Sequence, residues 1–181
     1  MIYWFTGQPC AGKTVLADML KEEHLPNAFR IDGDDMRELF SNKDYSIKGR
    51  VENVGTAQRI AHYLHNQGHD VIVSLVSPYI DQREDFKILL GDDIKEIYVH
   101  TTEIRERDHF AAIAYIPPYE NYIDINTNFD TPIESLKKIL SDLQKVLEVK
   151  PSENIVFQLR NAMFALTQQT KGVKDVKKLQ Q

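Results

Sequence analysis

Eight residues near the start of the chain have the types and the spacing to bind phosphate. They are Gly7, Gln8, Pro9, Cys10, Ala11, Gly12, Lys13 and Thr14, and they fit the pattern G-x-x-x-x-G-K-[ST]. In this pattern the backbone N–H groups of a glycine-rich turn face phosphate oxygens, the lysine neutralises those oxygens and the final hydroxyl binds Mg²⁺. The pattern therefore predicts binding of ATP or GTP, with Thr14 as a magnesium ligand, in preference to a purely structural glycine turn.

A second group of polar residues, Ile31-Asp32-Gly33-Asp34-Asp35, contains carboxylates at the end of an apolar stretch. Ligands bind at the carboxyl ends of the strands in open α/β sheets, so carboxylates placed there can face a substrate. Asp32 can orient magnesium and its water while Asp34 accepts the proton of an attacking hydroxyl. Asp and Gly also favour turns. These residues alone therefore leave a catalytic pair and a simple turn equally open.

Both groups must be positioned by regular elements, and the sequence predicts them. Apolar stretches typical of strands alternate with stretches of helical period as far as about Leu147, which indicates an α/β domain. We expect a long helix from Val51 to Gln67 and another that begins at Thr131, with Pro132 in its first turn. The expected strands are Ile2–Phe5, Ala28–Ile31, Asp70–Leu75, Ile94–Val99 and Tyr122–Ile125. The fold class is thus α/β, a P-loop nucleoside-triphosphate-binding fold with a mostly parallel five-stranded sheet flanked by helices, and at this stage kinases, GTPase switches and ATP-driven machines all stay open.

The composition restricts the class of protein further. With 181 residues, 42% hydrophobic and 27% charged, the chain suits one globular domain rather than a disordered or membrane-spanning protein. Its 22 Lys and Arg against 27 Asp and Glu give a net charge of -5, which provides no general attraction for nucleic acid or a membrane surface. The single cysteine, Cys10, excludes an intramolecular disulfide and favours a cytoplasmic location.

Charge is distributed unevenly along the chain. Residues 150–181 contain six Lys or Arg and two Asp or Glu, whereas the preceding part is acidic. We therefore divide the chain into a P-loop domain, residues 1–149, and a basic C-terminal helical extension, residues 150–181. A solvated end is the simplest interpretation of the extension, and a contact with a partner or an anion is the alternative. The oligomeric state stays open, with a homodimer among the options.

Taken in order, the motifs resemble the adenylylsulfate (APS) kinase family, which phosphorylates the ribose 3′-hydroxyl of adenosine 5′-phosphosulfate with ATP. The resemblance covers about residues 1–147. After the phosphate-binding turn, its motifs are DGDDMR at 32–37, RVEN at 50–53, VSPY at 76–79 with Arg83, RD at 107–108 and PYE at 118–120.

The resemblance implies that residues 1–149 form a P-loop kinase domain, with the P-loop nucleoside-triphosphate-binding kinase fold. It also implies ATP and Mg²⁺ as cofactors, a small nucleotide as acceptor, and a role for each matching residue. Asp34 would be the base on the 3′-hydroxyl, Asp32 its partner on the magnesium side, and Lys13 the third catalytic group. Arg107 would contact ATP. The remaining matches would bind the nucleotide substrate: Arg37 and Arg50 its anionic group, Tyr45 its base by stacking, and Asn53 and Ser77 other parts of it.

The chain departs from the resemblance where members of the family have a longer, basic lid. Between Asp108 and Pro118 it has only nine residues, with no Lys or Arg. Three explanations stay open: the same reaction with a minimal lid whose aromatic is Phe110 or Tyr115, a different nucleotide acceptor, or closure by another chain or the basic extension. A non-catalytic, nucleotide-dependent interaction module is the alternative from another class. Asp34 argues against that module, because a pure binding protein needs no base.

Overall fold

The computed structural model describes residues 1–103 and 111–149, and its main feature is a five-stranded sheet flanked by helices. The chain divides into two compact units, Met1–Ser141 and Asp142–Gln181. The elements, in chain order, are β1 (Ile2–Thr6), α1 (Lys13–Glu23), β2 (Phe29–Asp32), α2 (Gly33–Leu39), α3 (Ile47–Asn66), β3 (Val71–Ser74), α4 (Ile80–Leu90), a short 3₁₀ turn (Gly91–Asp93), β4 (Ile94–His100), β5 (Tyr122–Asn126) and α5 (Pro132–Val149).

The sheet has the strand order β2-β3-β1-β4-β5, and every neighbouring pair is parallel. All five predicted strands are confirmed, each with ends within one residue of the expected position. Since β2, β3 and β1 are parallel neighbours, their carboxyl ends lie at the same edge of the sheet. The turn after β1 and the carboxylates after β2 are therefore brought to the same place.

The two predicted helices are also confirmed, with a difference at one end. Helix α3 begins at Ile47, four residues before the expected start, because the Ser46 side chain accepts a hydrogen bond from the Gly49 N–H and caps the helix. At α5, the Glu134 N–H donates to Thr131 Oγ1 and the Thr131 N–H donates to the Glu134 carboxylate. This reciprocal pair is the capping box that the sequence predicts.

The core on one face of the sheet is built around β1 and its neighbours. Trp4 is almost fully buried and packs edge to face against Phe86 of α4, with ring centroids 5.4 Å apart. Helix α3 adds Val54, Ala57 and Ala61 to the same cluster. Small residues at 57 and 61 let α3 lie close to the sheet, so the start of α3 is fixed beside the ends of β2 and β3.

Some of the sequence-based predictions concern residues outside the described ranges. Arg107 and the basic extension 150–181 are among them, and the second unit is described only at residues 142–149, the end of α5. Within the two described ranges, no helix is long and apolar enough to cross a membrane.

Candidate active site

The turn between β1 and α1 depends on two glycines. Gly7 has a φ of 141°, and a Cβ placed there would lie 1.9 Å from the carbonyl oxygen of Val99, so no other residue fits. Gly12 has a φ of 100° and forms the N-cap of α1. The turn therefore carries its backbone directly into a helix N-terminus, where N–H groups without helical partners attract phosphate.

Lys13 is held beneath this turn. Its side chain is buried, and its Nζ donates a 2.7 Å hydrogen bond to the carbonyl oxygen of Gln8. Burial lowers the pKa of Lys13 to about 8, and the nearby negative groups, Asp32 and Asp34 among them, offset only part of that effect. A phosphate bound in the turn supplies the negative charge that would keep this ammonium protonated.

Asp32 lies at the centre of a hydrogen-bond network at the end of β2. Its Oδ2 accepts from Thr14 Oγ1 at 3.0 Å, from Ser74 Oγ at 2.6 Å and from Arg30 Nη2 at 3.2 Å. Partial burial opposes ionisation, but the hydrogen bonds from Ser74 and the Asp34 N–H, together with Arg30, outweigh it and hold the pKa of Asp32 below its ordinary value. The carboxylate is thus kept anionic beside the Thr14 hydroxyl.

Asp34 begins α2 two residues further on. Its backbone N–H donates to Asp32 Oδ1 at 3.0 Å, which makes Asp32 the N-cap of α2. Gly33 lets this helix start close to β3, since a Cβ there would lie 2.8 Å from the Leu75 side chain. The backbone therefore fixes the two carboxylates as a pair, with Asp34 more exposed than Asp32.

One cavity of about 640 Å³ collects these residues and the predicted acceptor residues. Its lining includes the phosphate-binding turn, the carboxylate pair and the start of α3. The predicted site residues in the lining are Pro9, Cys10, Gly12, Lys13, Thr14, Asp32, Asp34, Arg37, Tyr45, Arg50, Asn53 and Ser77. The turn and the acceptor residues thus form two halves of one cavity, here called the donor half and the acceptor half.

The acceptor half contains two arginines around Tyr45. The guanidinium of Arg37 lies 4.1 Å from the centre of the Tyr45 ring, and that of Arg50 lies 5.6 Å away. Arg37 also donates to the carbonyl oxygens of Asn42 and Asp44, while Arg50 Nε donates to the Tyr45 carbonyl oxygen. Burial lowers the pKa of Arg37, and the neighbouring Arg50 contributes in the same direction. Two guanidinium groups held this close form a site suited to an anion.

Two further residues carried over from the resemblance have structural contacts of their own. Asn53 is buried, and its Nδ2 donates to the carbonyl oxygen of Gly33 at 3.4 Å. Ser77 is 1% exposed, and its Oγ accepts a hydrogen bond from Trp4 Nε1 at 3.1 Å. The Ser77 carbonyl oxygen accepts from Arg83, which forms a fully buried ion pair with Glu96. The loop after β3 is therefore held from beneath by side chains that face away from solvent.

Tyr115, one of the two aromatics considered for a minimal lid, lies outside the lining of the cavity. Its hydroxyl is 3.1 Å from Thr6 Oγ1, its ring stacks on Tyr98 with centroids 6.0 Å apart, and it does not line the cavity. Phe110 lies outside the described residues. The structure therefore does not support Tyr115 as the aromatic of a minimal lid.

Two residues in this region were missed by sequence reasoning. Arg30 donates to Asp18, Asp32 and Ser74 and so connects α1, β2 and β3 beneath the carboxylate pair. Glu96 is a buried carboxylate on β4. The sequence signal that could have found them is that each is a charged residue within a predicted strand. Their partners lie on other elements and were not predictable from the sequence.

A phosphate-binding turn that shares a cavity with a carboxylate able to take a hydroxyl proton defines a P-loop kinase, a phosphotransferase with an alcohol group as acceptor. The chain belongs to the adenylylsulphate kinase family, whose sequence model matches residues 1–119. The resemblance drawn from the motifs is thereby confirmed.

Individual relatives agree with this assignment. The chain is 29% identical over 171 residues to an adenylyl-sulfate kinase of Thermodesulfovibrio yellowstonii, with 82% of this chain and 86% of the relative covered. It is 27% identical over 138 residues to a cytidine diphosphoramidate kinase of Campylobacter jejuni, with 72% and 81% covered. The structure of the Mycobacterium tuberculosis APS kinase in complex with AMPPNP and APS matches with a TM-score of 0.66 at 20% identity, covering 79% of this chain and 96% of the other. This last likeness confirms the fold.

Proposed function

We propose that this protein transfers the γ-phosphoryl group of ATP to the 3′-hydroxyl of APS, giving 3′-phosphoadenosine 5′-phosphosulfate and ADP. The observation that carries the proposal is that Lys13, Asp34 and Arg37 line the same cavity. Membership of the adenylylsulphate kinase family supports APS as the acceptor.

In the donor half, the backbone N–H groups of the turn and the Lys13 ammonium bind the β- and γ-phosphate oxygens. Among the described residues, no three His, Cys, Asp or Glu side chains converge as a metal site. Mg²⁺ commonly takes only one or two protein oxygens together with substrate phosphates, so Thr14 and Asp32, joined at 3.0 Å, have the right chemistry to hold it. When bound, Mg²⁺ neutralises charge on the β- and γ-phosphate oxygens.

In the acceptor half, Arg37 and Arg50 bind the anionic group of the substrate, and the Tyr45 ring stacks on its base. Asp34 takes the proton of the 3′-hydroxyl as the ribose oxygen attacks the γ-phosphorus. A bond forms between that oxygen and phosphorus, the bond from the γ-phosphorus to the bridging oxygen breaks, and ADP leaves with the electron pair. No covalent enzyme intermediate is needed, which agrees with the engaged hydroxyl of Ser77.

A panel of acceptors tests the proposal. The full chain is incubated with Mg-ATP and, separately, with APS, a cytidine 5′-diphosphate derivative, gluconate and shikimate, and the products are identified by mass spectrometry and ³¹P NMR. We expect 3′-phosphorylated APS and ADP in equal amounts. Turnover of another acceptor without turnover of APS would overturn the APS assignment but keep the kinase, whereas no turnover of any acceptor would favour a binding module.

One observation favours a second candidate, a kinase for another nucleotide derivative. Residues 109–117 contain no Lys or Arg, although the family resemblance leads one to expect a basic lid there. A relative that is 27% identical over 72% of this chain is a cytidine diphosphoramidate kinase. With an acceptor of this type, Arg37 and Arg50 would bind a diphosphate-like anion, and the Tyr45 ring would stack on a pyrimidine rather than on adenine. The cytidine arm of the panel distinguishes the two.

The cellular location and the oligomeric state are the remaining parts of the proposal. The use of ATP and the single cysteine favour a cytoplasmic location. Light scattering on the purified chain decides whether it forms the homodimer left open by the sequence.

A further inference from the structure

The side chain of Gln8 joins the phosphate-binding turn to residues 111–116, a segment that we call the strap. Gln8 Nε2 donates to the carbonyl oxygen of Ala112 at 2.9 Å, and the Ala112 N–H donates to Gln8 Oε1 at 3.0 Å. Both polar atoms of one side chain thus pair with both polar groups of one backbone residue. The turn and the strap are held at a fixed separation at this point.

The other end of the strap is attached to the loop after β3. The Ile116 N–H donates to the carbonyl oxygen of Pro78 at 3.0 Å, and Arg83 Nη2 donates to the carbonyl oxygen of Ile116 at 2.6 Å. Pro78 and Ser77 line the cavity. The strap therefore runs from the donor half of the site to a wall of the acceptor half.

The two ends of the strap are held in different ways. Tyr115 stacks on Tyr98, and its hydroxyl is 3.1 Å from Thr6 Oγ1. Ala112 is buried but has only a methyl side chain, and Ile113 beside it is fully exposed. Apolar packing therefore contributes little at the Ala112 end, where the hydrogen bonds to Gln8 are the main attachment. Loss of the Gln8 contacts would leave the Ala112 end without a comparable attachment among those described.

Gln8 also contacts the catalytic lysine. Its carbonyl oxygen accepts the 2.7 Å hydrogen bond from Lys13 Nζ. When the Lys13 ammonium binds a phosphate, it gives up its hydrogen bond to the Gln8 carbonyl. Nucleotide binding therefore changes the hydrogen bonds of Gln8, the residue whose side chain holds the strap. Phosphate binding itself needs no particular side chain at this variable position of the motif, so the amide has no evident purpose in the donor half alone.

We propose that Gln8 is a positioning residue that couples the two halves of the site: nucleotide in the turn increases affinity for the acceptor, and the acceptor increases affinity for nucleotide, through the strap. The coupling is reciprocal because it is an equilibrium property. The inference rests on the proposed function for the identity of the acceptor half.

Calorimetry on matched variants tests the coupling. Gln8→Leu removes both hydrogen bonds while keeping a side chain of similar size. Gln58→Leu is the control, because Gln58 also donates to a backbone carbonyl, that of Gln82 at 2.9 Å, but lies outside the cavity. The affinity for ADP is measured with and without saturating APS. In the wild type and in Gln58→Leu we expect APS to tighten ADP binding by about fivefold or more, a common size for coupling.

In Gln8→Leu we expect that ratio to fall to about one, whatever change the variant makes to the affinity for ADP alone, since coupling and binary affinity are separate quantities. A variant ratio equal to that of the wild type would overturn the inference. So would a wild-type ratio of one measured with an acceptor that binds the protein. A general loss of stability does not produce the expected result, because it does not remove coupling selectively.

Hydrogen exchange at the backbone amides of Ala112, Tyr115 and Ile116 gives a second test that needs no acceptor. ADP should slow exchange at these amides in the wild type and in Gln58→Leu. In Gln8→Leu they should exchange about tenfold faster and not respond to ADP. Unchanged exchange would contradict the role of Gln8. If APS fails to bind the wild type while the exchange results hold, the failure belongs to the proposed acceptor, and calorimetry is repeated with the acceptor that the panel identifies.

Discussion

The Thr14 hydroxyl donates a 3.0 Å hydrogen bond to the Asp32 carboxylate, which ties the first turn of α1 to the end of β2. The same carboxylate oxygen accepts from Ser74 on β3. The first turn of α1, the carboxylate pair and the end of β3 are therefore connected through the Asp32 side chain. A cation held between Thr14 and Asp32 would be placed by three elements at once.

Thr14 provides a test of this cation site. Thr14→Ser keeps the hydroxyl, whereas Thr14→Val keeps the shape and removes the oxygen. We expect Thr14→Val to raise the Mg²⁺ concentration needed for half-maximal rate by about 10-fold or more, because loss of a group that only supports a metal ligand already costs about 10–100-fold in affinity, and we expect Thr14→Ser to stay close to the wild type. The measurement is the initial rate at fixed ATP over a range of Mg²⁺. Equal Mg²⁺ dependence in the two variants would show that Thr14 does not hold the ion.

The pKa of Lys13 predicts how nucleotide binding varies with pH. Because burial lowers that pKa to about 8, the free protein loses the ammonium charge as the pH rises above about 8, well before an ordinary lysine does. The dissociation constant for ADP should therefore be constant below pH 7.5 and should rise above pH 8, by up to about tenfold per pH unit. Lys13→Ala should bind weakly with no such rise. A wild-type constant that is flat to pH 9.5 would contradict the assignment.

Gly49 fixes the loop that carries Tyr45. A Cβ at Gly49 would lie 2.2 Å from the carbonyl oxygen of Asp44, so Gly49→Ala must displace that loop. We expect a higher KM for the acceptor and an unchanged KM for ATP. Gly55→Ala on the same helix is the control, because its Cβ would meet only the ends of the Arg59 and Gln82 side chains, at 3.4 and 3.5 Å. Equal effects of the two variants on the acceptor KM would mean that the Tyr45 loop does not bind the acceptor.

The buried ion pair beneath the loop after β3 should be important for stability. Glu96 is 2.7 Å from Arg83 Nε and 2.9 Å from Lys87 Nζ, and it is almost fully buried. Glu96→Gln leaves the buried Arg83 with a neutral partner, whereas Lys87 keeps Glu84 at 2.7 Å. We therefore expect the free energy of unfolding to fall by about 3–5 kcal/mol. Asp142→Asn, which breaks an exposed pair with Lys145, should have little effect. Urea unfolding of both variants checks this, and similar midpoints would refute it.

The sequence predicts the elements that have a clear hydrophobic pattern. Three of the four residues of β3 are apolar and all four are buried, and α3 repeats its apolar residues at helical spacing. Helix α2 was missed because it has only seven residues, begins with glycine and buries a single side chain, Met36. α4 was missed as well, since its few buried residues, Ile80, Arg83 and Phe86, form a weak pattern.

The candidate site was predictable to the extent that its residues are close in sequence. The turn and the carboxylate pair are local motifs, and their arrival in one cavity agrees with the parallel order of the strands. The contacts of Arg30 with Asp18 and Ser74, and of Gln8 with Ala112, join positions far apart in the chain. Such contacts depend on how closely the elements approach one another in the fold, which a local sequence pattern does not predict.

The most direct test of the account is the rate of phosphoryl transfer to APS in a pair of adjacent variants, Asp34→Ala and Asp35→Ala. Both remove an exposed carboxylate from the start of α2, but only Asp34 lines the cavity. We predict that Asp34→Ala lowers kcat by about 10²–10⁴-fold with little change in affinity for ADP, while Asp35→Ala keeps a kcat close to that of the wild type. An unchanged kcat in Asp34→Ala would contradict the claim that this carboxylate takes the proton of the acceptor hydroxyl.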